Sequence, residues 1–152
     1  MLLSQIIPAG AGFLIAVLWF DLMFDVQVFR HRAEPRVPDE ALDSIAAYYR
    51  RVTTTASPMG RLVALVMLVV LVAVIVQAAR GDVDVWVTVV SILAALTGFG
   101  LAGVRVVPRA QRLGAKGDPR EVQSTMARSI FRDHLICIAA MVTLLAVQLI
   151  AG

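Results

Sequence analysis

Four stretches of this 152-residue chain, residues 6–24, 62–79, 85–104 and 131–151, are each about 20 residues long and almost free of charge. A helix crossing the hydrocarbon core of a bilayer needs about 20 apolar residues, so four crossings use roughly 80 and leave roughly 70 for loops and ends. Lipid does not tolerate unpaired backbone groups, and four such runs cannot close a β-barrel, so helices are the expected element. The predicted fold is an all-α integral membrane protein, with four transmembrane helices in an antiparallel bundle forming one domain over 1–152. Composition agrees: 59% of residues are hydrophobic and 16% charged, against about 45–50% and about 25% in soluble domains. A soluble enzyme, a disulfide scaffold and a large aqueous domain are excluded. The single cysteine, Cys137, also leaves no partner for an internal disulfide and no CxxC zinc spacing.

The cations give direction. Six arginines (Arg30, Arg32, Arg36, Arg50, Arg51, Arg61) fall in the loop 25–61, and Arg80 alone lies between the second and third spans. Seven basic residues, from Arg105 to Arg132, follow the third span, most of them in the loop 105–130. By the positive-inside rule both long loops are expected to be cytoplasmic and both termini outside, in a bacterial plasma (inner) membrane. The first arginine follows the first apolar run instead of preceding it, so residues 1–24 read as a retained span and not a cleaved signal peptide.

The loops carry structure of their own. Val37-Pro38-Asp39-Glu40 suits a helix start and Arg50-Arg51 a helix end. Leu42, Ile45, Tyr49 and Val52 recur every 3–4 residues as one apolar stripe. A helix of about 14 residues is too short to span, so it is expected to lie at the headgroup boundary. In the second loop Pro108, Gly114 and Gly117 are expected to break the chain, and Asp118-Pro119 to restart a helix into the fourth span.

Two groups of side chains are chemically suggestive. Asp21 and Asp25 stand four apart and share a helix face. A carboxylate inside an apolar run is costly unless it meets protein, water or a partner. The readings are an ion pair with Arg61, Arg105 or Arg132, a contact with a partner subunit, or a transport or catalytic group. His134, Cys137 and Met141 align on one face of the fourth span, with Gln148 two turns on and Asp133 beside them. These are donor types for a soft metal, but thioether and thiol also fill cores, so packing is expected and neither cofactor nor metal is assigned. Ala94, Gly98 and Ala102, and Gly12 with Ala16, are small residues at four-residue spacing, expected at close helix contacts. The bulky second span is expected to face lipid. Acids interleaved with the arginines argue against nucleic acid, and the cations would attract anionic headgroups at about 1 kcal/mol each.

The stretch Gly12 to Phe29, GFLIAVLWFDLMFDVQVF, resembles the first helix of small four-span membrane proteins of actinobacteria. Overall size and layout are similar to the accessory membrane subunit of mycobacterial Mce lipid-import complexes, a likeness that carries over no site residue. It implies a place beside a lipid-transporting permease. The leading functional expectation is therefore a non-enzymatic accessory or scaffold subunit of a larger membrane assembly, in contact with the bilayer and other subunits. The alternatives are a small membrane enzyme or redox protein acting on a lipophilic substrate, and a homo-oligomeric ion or proton conduit.

Overall fold

A computed structural model describes residues 2–151. Among these the chain is all helical: α1 (Leu2–Arg30), α2 (Asp39–Thr53), α3 (Ser57–Arg80), α4 (Val85–Ala115) and α5 (Arg120–Ala151). All but α2 are long and apolar enough to cross a membrane. The helix α1 packs on α3 and α5, and α4 packs on the same two.

Residue spacing explains the packing. On α1 the inward positions are Ile7, Ala11, Leu14, Leu18, Asp21, Asp25 and Val28, alternating steps of four and three. The matching seam on α5 is Gln123, Ala127, Ile130, His134, Cys137, Met141, Leu144 and Gln148, all buried. Such a heptad pattern keeps one stripe of each helix toward its neighbour. The α1 seam continues past residue 24 through Asp25 and Val28, so the helix runs six residues beyond the expected span.

The helix α4 runs through residues expected to break it. A π turn at Ala102–Val106 widens the helix just before Pro108, and the Val107 amide donates to the Ala102 carbonyl. Proline lacks an amide hydrogen and crowds the carbonyl four residues back; the wider turn accommodates both. Gly98 and Val106 are both buried and eight residues apart, one more than a heptad, so the inward face continues through Val106, Ala110 and Leu113. The helix ends at Lys116 in a left-handed conformation, φ 55°. Gly114 is therefore inside α4. A Cβ there would lie 2.7 Å from Arg50 N and 2.9 Å from its Cα, so glycine is what lets α2 approach.

Two apolar clusters result. One lies among the long helices, with Ile7, Ala11, Leu14, Val70, Val74, Ala94, Met141 and Leu144. The other joins Leu42, Ile45, Ala46 and Tyr49 of α2 to Val28, Val106, Leu113, Ala127 and Ile130. The stripe on α2 expected to face headgroups is thus covered by protein. Leu42 and Ile45 are fully buried, each worth about 1.5–3 kcal/mol. Polar ties fix the same helix. The Val37 amide donates to Ser124 Oγ at 2.9 Å, while Lys116 and Arg120 both donate to Asp43. The Arg120 and then the Lys116 hydrogen bond hold the Asp43 carboxyl down to about 2.

Of the small residues, Ala94 and Gly98 are buried, and Gly98 meets the Met141 methyl of α5. Ala102 is half-buried. Gly12 and Ala16 do not meet another helix: Ala16 is exposed and nothing lies within 4 Å of a Cβ on Gly12. At 100° per residue they fall on the side of α1 away from Ala11 and Leu14, and Gly10 instead takes the close contact, against Val70 of α3. The α3 helix buries Val70, Ala73, Val74 and Gln77 and turns Leu65, Leu68, Val72 and Ile75 outward.

Candidate functional site

Between the two apolar clusters the α1 and α5 seams carry charge. Asp25, with no exposed surface, receives the Tyr49 hydroxyl at 2.8 Å and faces His134 Nδ1 at 2.7 Å. One turn earlier Asp21 receives the Tyr48 hydroxyl at 2.6 Å and stands 3.8 Å from His134 Nε2. The imidazole therefore lies between two carboxylates, bonded to one and beyond hydrogen-bond reach of the other. His134 is itself buried. Phe24 stacks on Tyr48, with ring centroids 4.0 Å apart, which fixes that hydroxyl over Asp21. Burial first, and the neighbouring carboxylates second, hold both tyrosines above their ordinary range, so each remains a neutral donor.

Asp21 thus finds no arginine. Arg105 and Arg109 are engaged by Asp133, whose Oδ2 lies 3.1 Å from Arg105 Nε and 3.0 Å from Arg109 Nη1. Arg132 Nε comes no closer to that carboxylate than 4.0 Å. The ion pair expected at Asp21 exists one residue before His134 instead. The physical reason is the fold of α2, which lays two hydroxyls over the α1 carboxylates. A neutral donor satisfies a buried carboxylate without the cost of desolvating a second charge.

His134, Cys137 and Met141 share a buried face as expected, but each makes a different contact. His134 bonds Asp25, Cys137 Sγ donates to the Gly98 carbonyl at 3.5 Å, and the Met141 methyl packs on Gly98. No group of three or more His, Cys, Asp or Glu side chains is placed to hold a metal among the described residues. Gln148 lies at the far end, where it exchanges hydrogen bonds with Gln77 at 2.8 and 3.1 Å and donates to Ser91 at 2.9 Å. That amide clamp joins α3, α4 and α5.

A cavity of about 130 Å³ opens beside the cluster. Asp21, His134 and Cys137 form part of its wall, and Leu14, Leu18, Met67 and Phe99 are among the apolar side chains that form much of the rest. Asp25 and Tyr49 do not line it; they support the imidazole from behind. The tyrosines are the functional residues that sequence reasoning missed. Tyr49 reads as one apolar position in a stripe, and the adjacent hydroxyls gain meaning only when α2 folds onto α1.

Comparison with protein-family models, curated proteins and solved structures finds no match to this chain.

Proposed function

We propose that this chain is a small membrane-embedded enzyme that moves a proton on a lipophilic, carbonyl-bearing substrate. The observation that carries the reading is the buried Asp25–His134 pair at the wall of an apolar cavity. A hydrogen bond from Nδ1–H to Asp25 sets the tautomer and leaves the Nε2 lone pair free. With His134 in the cavity wall, Nε2 takes a proton from the carbon beside the carbonyl, and the C–H electron pair moves onto the carbonyl oxygen. Asp25 and Asp21 then face the imidazolium from both sides, in the orienting role that a buried carboxylate plays in hydrolytic triads. Return of the proton regenerates the base.

The cavity size bounds the substrate. A hydrocarbon-lined cavity of about 150 Å³ accepts benzene, so about 130 Å³ suits one ring or short alkyl segment, with any longer tail lying outside. Large apolar side chains on the outer faces support membrane insertion: Trp19, Leu65, Leu93, Val104 and Leu149 are each more than half exposed. Soluble monomers rarely expose contiguous apolar surface on this scale. In this setting the four long helices run antiparallel in a bacterial plasma membrane, with α2 and the site on the arginine-rich cytoplasmic side and both termini opposite.

Solvent-deuterium uptake into cyclohexanone, a ring of the right size, tests the chemistry. The chain in D₂O-equilibrated nanodiscs is expected to accelerate uptake, and His134→Gln to remove about 10²–10⁴-fold of that acceleration, the usual contribution of a general base. Equal uptake in the two proteins, or none above buffer, contradicts the reading.

A second reading, an accessory subunit of a larger assembly with lipid transport as its setting, is favoured by Gly12 and Ala16. These small residues face outward beside the exposed Trp19, Phe20 and Met23, a surface another helix could approach closely. Purification in mild detergent would then retain a stoichiometric partner, and a partner-free monomer argues against it. A conduit is less well supported. Fourteen residues of α5, about 21 Å, separate His134 from Gln148, and the seam between them is Cys137, Met141 and Leu144.

A further inference from the structure

A second pocket, of about 350 Å³, lies between the later half of α4 and the first turns of α5. Four arginines line it: Arg105 and Arg109 from α4, Arg128 and Arg132 from α5. No carboxylate is among its lining residues. Asp133 sits beneath Arg105 and Arg109, with its side chain 1% exposed, and compensates at most one of the four charges. Arg128 spends hydrogen bonds on the carbonyls of Glu34 and His31, which are neutral acceptors, so its charge is unbalanced. Arg132 stands two-thirds exposed, 4.0 Å from Asp133 Oδ1. The site is not a general property of basic loops. The π turn of α4 carries Arg105, with Arg109 one turn on, and both reach the same buried acid, which holds two guanidinium groups at fixed positions.

We propose that this pocket binds a phosphate-bearing anion. Guanidinium groups present planar donor pairs that match phosphate oxygens, and four of them against one buried carboxylate leave room for a ligand of charge −1 to −2. Val104, strongly exposed next to Arg105 on α4, adds an apolar border beside these arginines. Within the membrane reading above, on which this part rests, the phosphate is that of an anionic lipid headgroup with its acyl chains along that border. The anion site itself does not depend on insertion.

The test uses the full chain in phosphatidylcholine nanodiscs, with phosphatidylglycerol and inorganic phosphate as separate probes and native mass spectrometry as the readout. Phosphatidylglycerol is expected to be retained in preference to phosphatidylcholine. Arg128→Gln and Arg132→Gln are each expected to weaken retention about fivefold, and the pair about thirty-fold. Arg61→Gln, which removes an equal charge outside the pocket, is expected to leave it unchanged. Retention lost equally in Arg61→Gln, or no preference for the anionic lipid and no phosphate binding, overturns the site. Millimolar phosphate displacing the lipid completely supports the anion site and overturns the lipid as its source. A chain that fails to enter nanodiscs yet binds phosphate in detergent contradicts the membrane reading alone.

Discussion

Asp25→Ala is expected to remove a large part of the stability of this protein, about 3–5 kcal/mol, because a buried carboxylate and both of the hydrogen bonds it accepts are lost together. Two effects add. His134 Nδ1 and the Tyr49 hydroxyl both lose their partner, and each orphaned buried group costs about 1–3 kcal/mol. The deleted carboxyl also leaves a void in a position with no exposed surface. Against a total of about 5–15 kcal/mol, this is a fifth or more. Asp25→Asn keeps the shape and one acceptor oxygen and is expected to cost less than half as much. Detergent-denaturation midpoints of the three proteins check this. If Asp25→Ala unfolds at the same midpoint as the unaltered chain, Asp25 is not paired as described.

Gly114→Val is expected to release α2. The first added carbon would stand 2.7 Å from Arg50 N and 3.1 Å from the Tyr49 carbonyl carbon, and backbone atoms cannot move aside as a side-chain tip can. Overpacking costs about 1–3 kcal/mol. Here it falls on a helix whose Leu42, Ile45 and Tyr49 are buried against α1, α4 and α5. Displacing α2 also draws Tyr48 and Tyr49 away from Asp21 and Asp25, so the site loosens together with the packing. Trypsin reports this directly, because Arg50 and Arg51 are exposed at the end of α2. Cleavage after them is expected to accelerate on the order of tenfold or more, in proportion to the open fraction. Gly117→Val, where nothing meets a Cβ within 4 Å, is the control and is expected to cleave at the original rate. Equal cleavage of all three proteins contradicts the close approach of α2 and α4.

Much of this architecture was legible from spacing. Apolar run length located all four long helices, and the 3-and-4 steps through His134, Cys137 and Met141 identified the inward face of α5. The pair Asp21 and Asp25 was legible for the same reason, since both continue the seam that begins at Ile7. What spacing does not carry is the partner across the interface. Whether Asp21 meets an arginine or a tyrosine depends on where α2 lands, and that follows from the close approach at Gly114 and the burial of Leu42 and Ile45. Gly12 and Ala16 have the spacing of a contact stripe, but on the wrong side of α1. Only their phase against Ile7, Ala11 and Leu14 reveals it. Pro108 misled in another way, because a π turn absorbed a residue that ordinarily breaks a helix.

In the proposed mechanism Asp25 holds His134 as a neutral base with its Nε2 lone pair available. Nitrogen-15 NMR of histidine-labelled protein in bilayers measures this directly, with His31→Gln removing the one other histidine. The expected spectrum shows a protonated Nδ1 with a strongly hydrogen-bonded proton and an unprotonated Nε2, a pattern lost in Asp25→Asn. A His134 spectrum with protonated Nε2 and bare Nδ1, unchanged by Asp25→Asn, would contradict it.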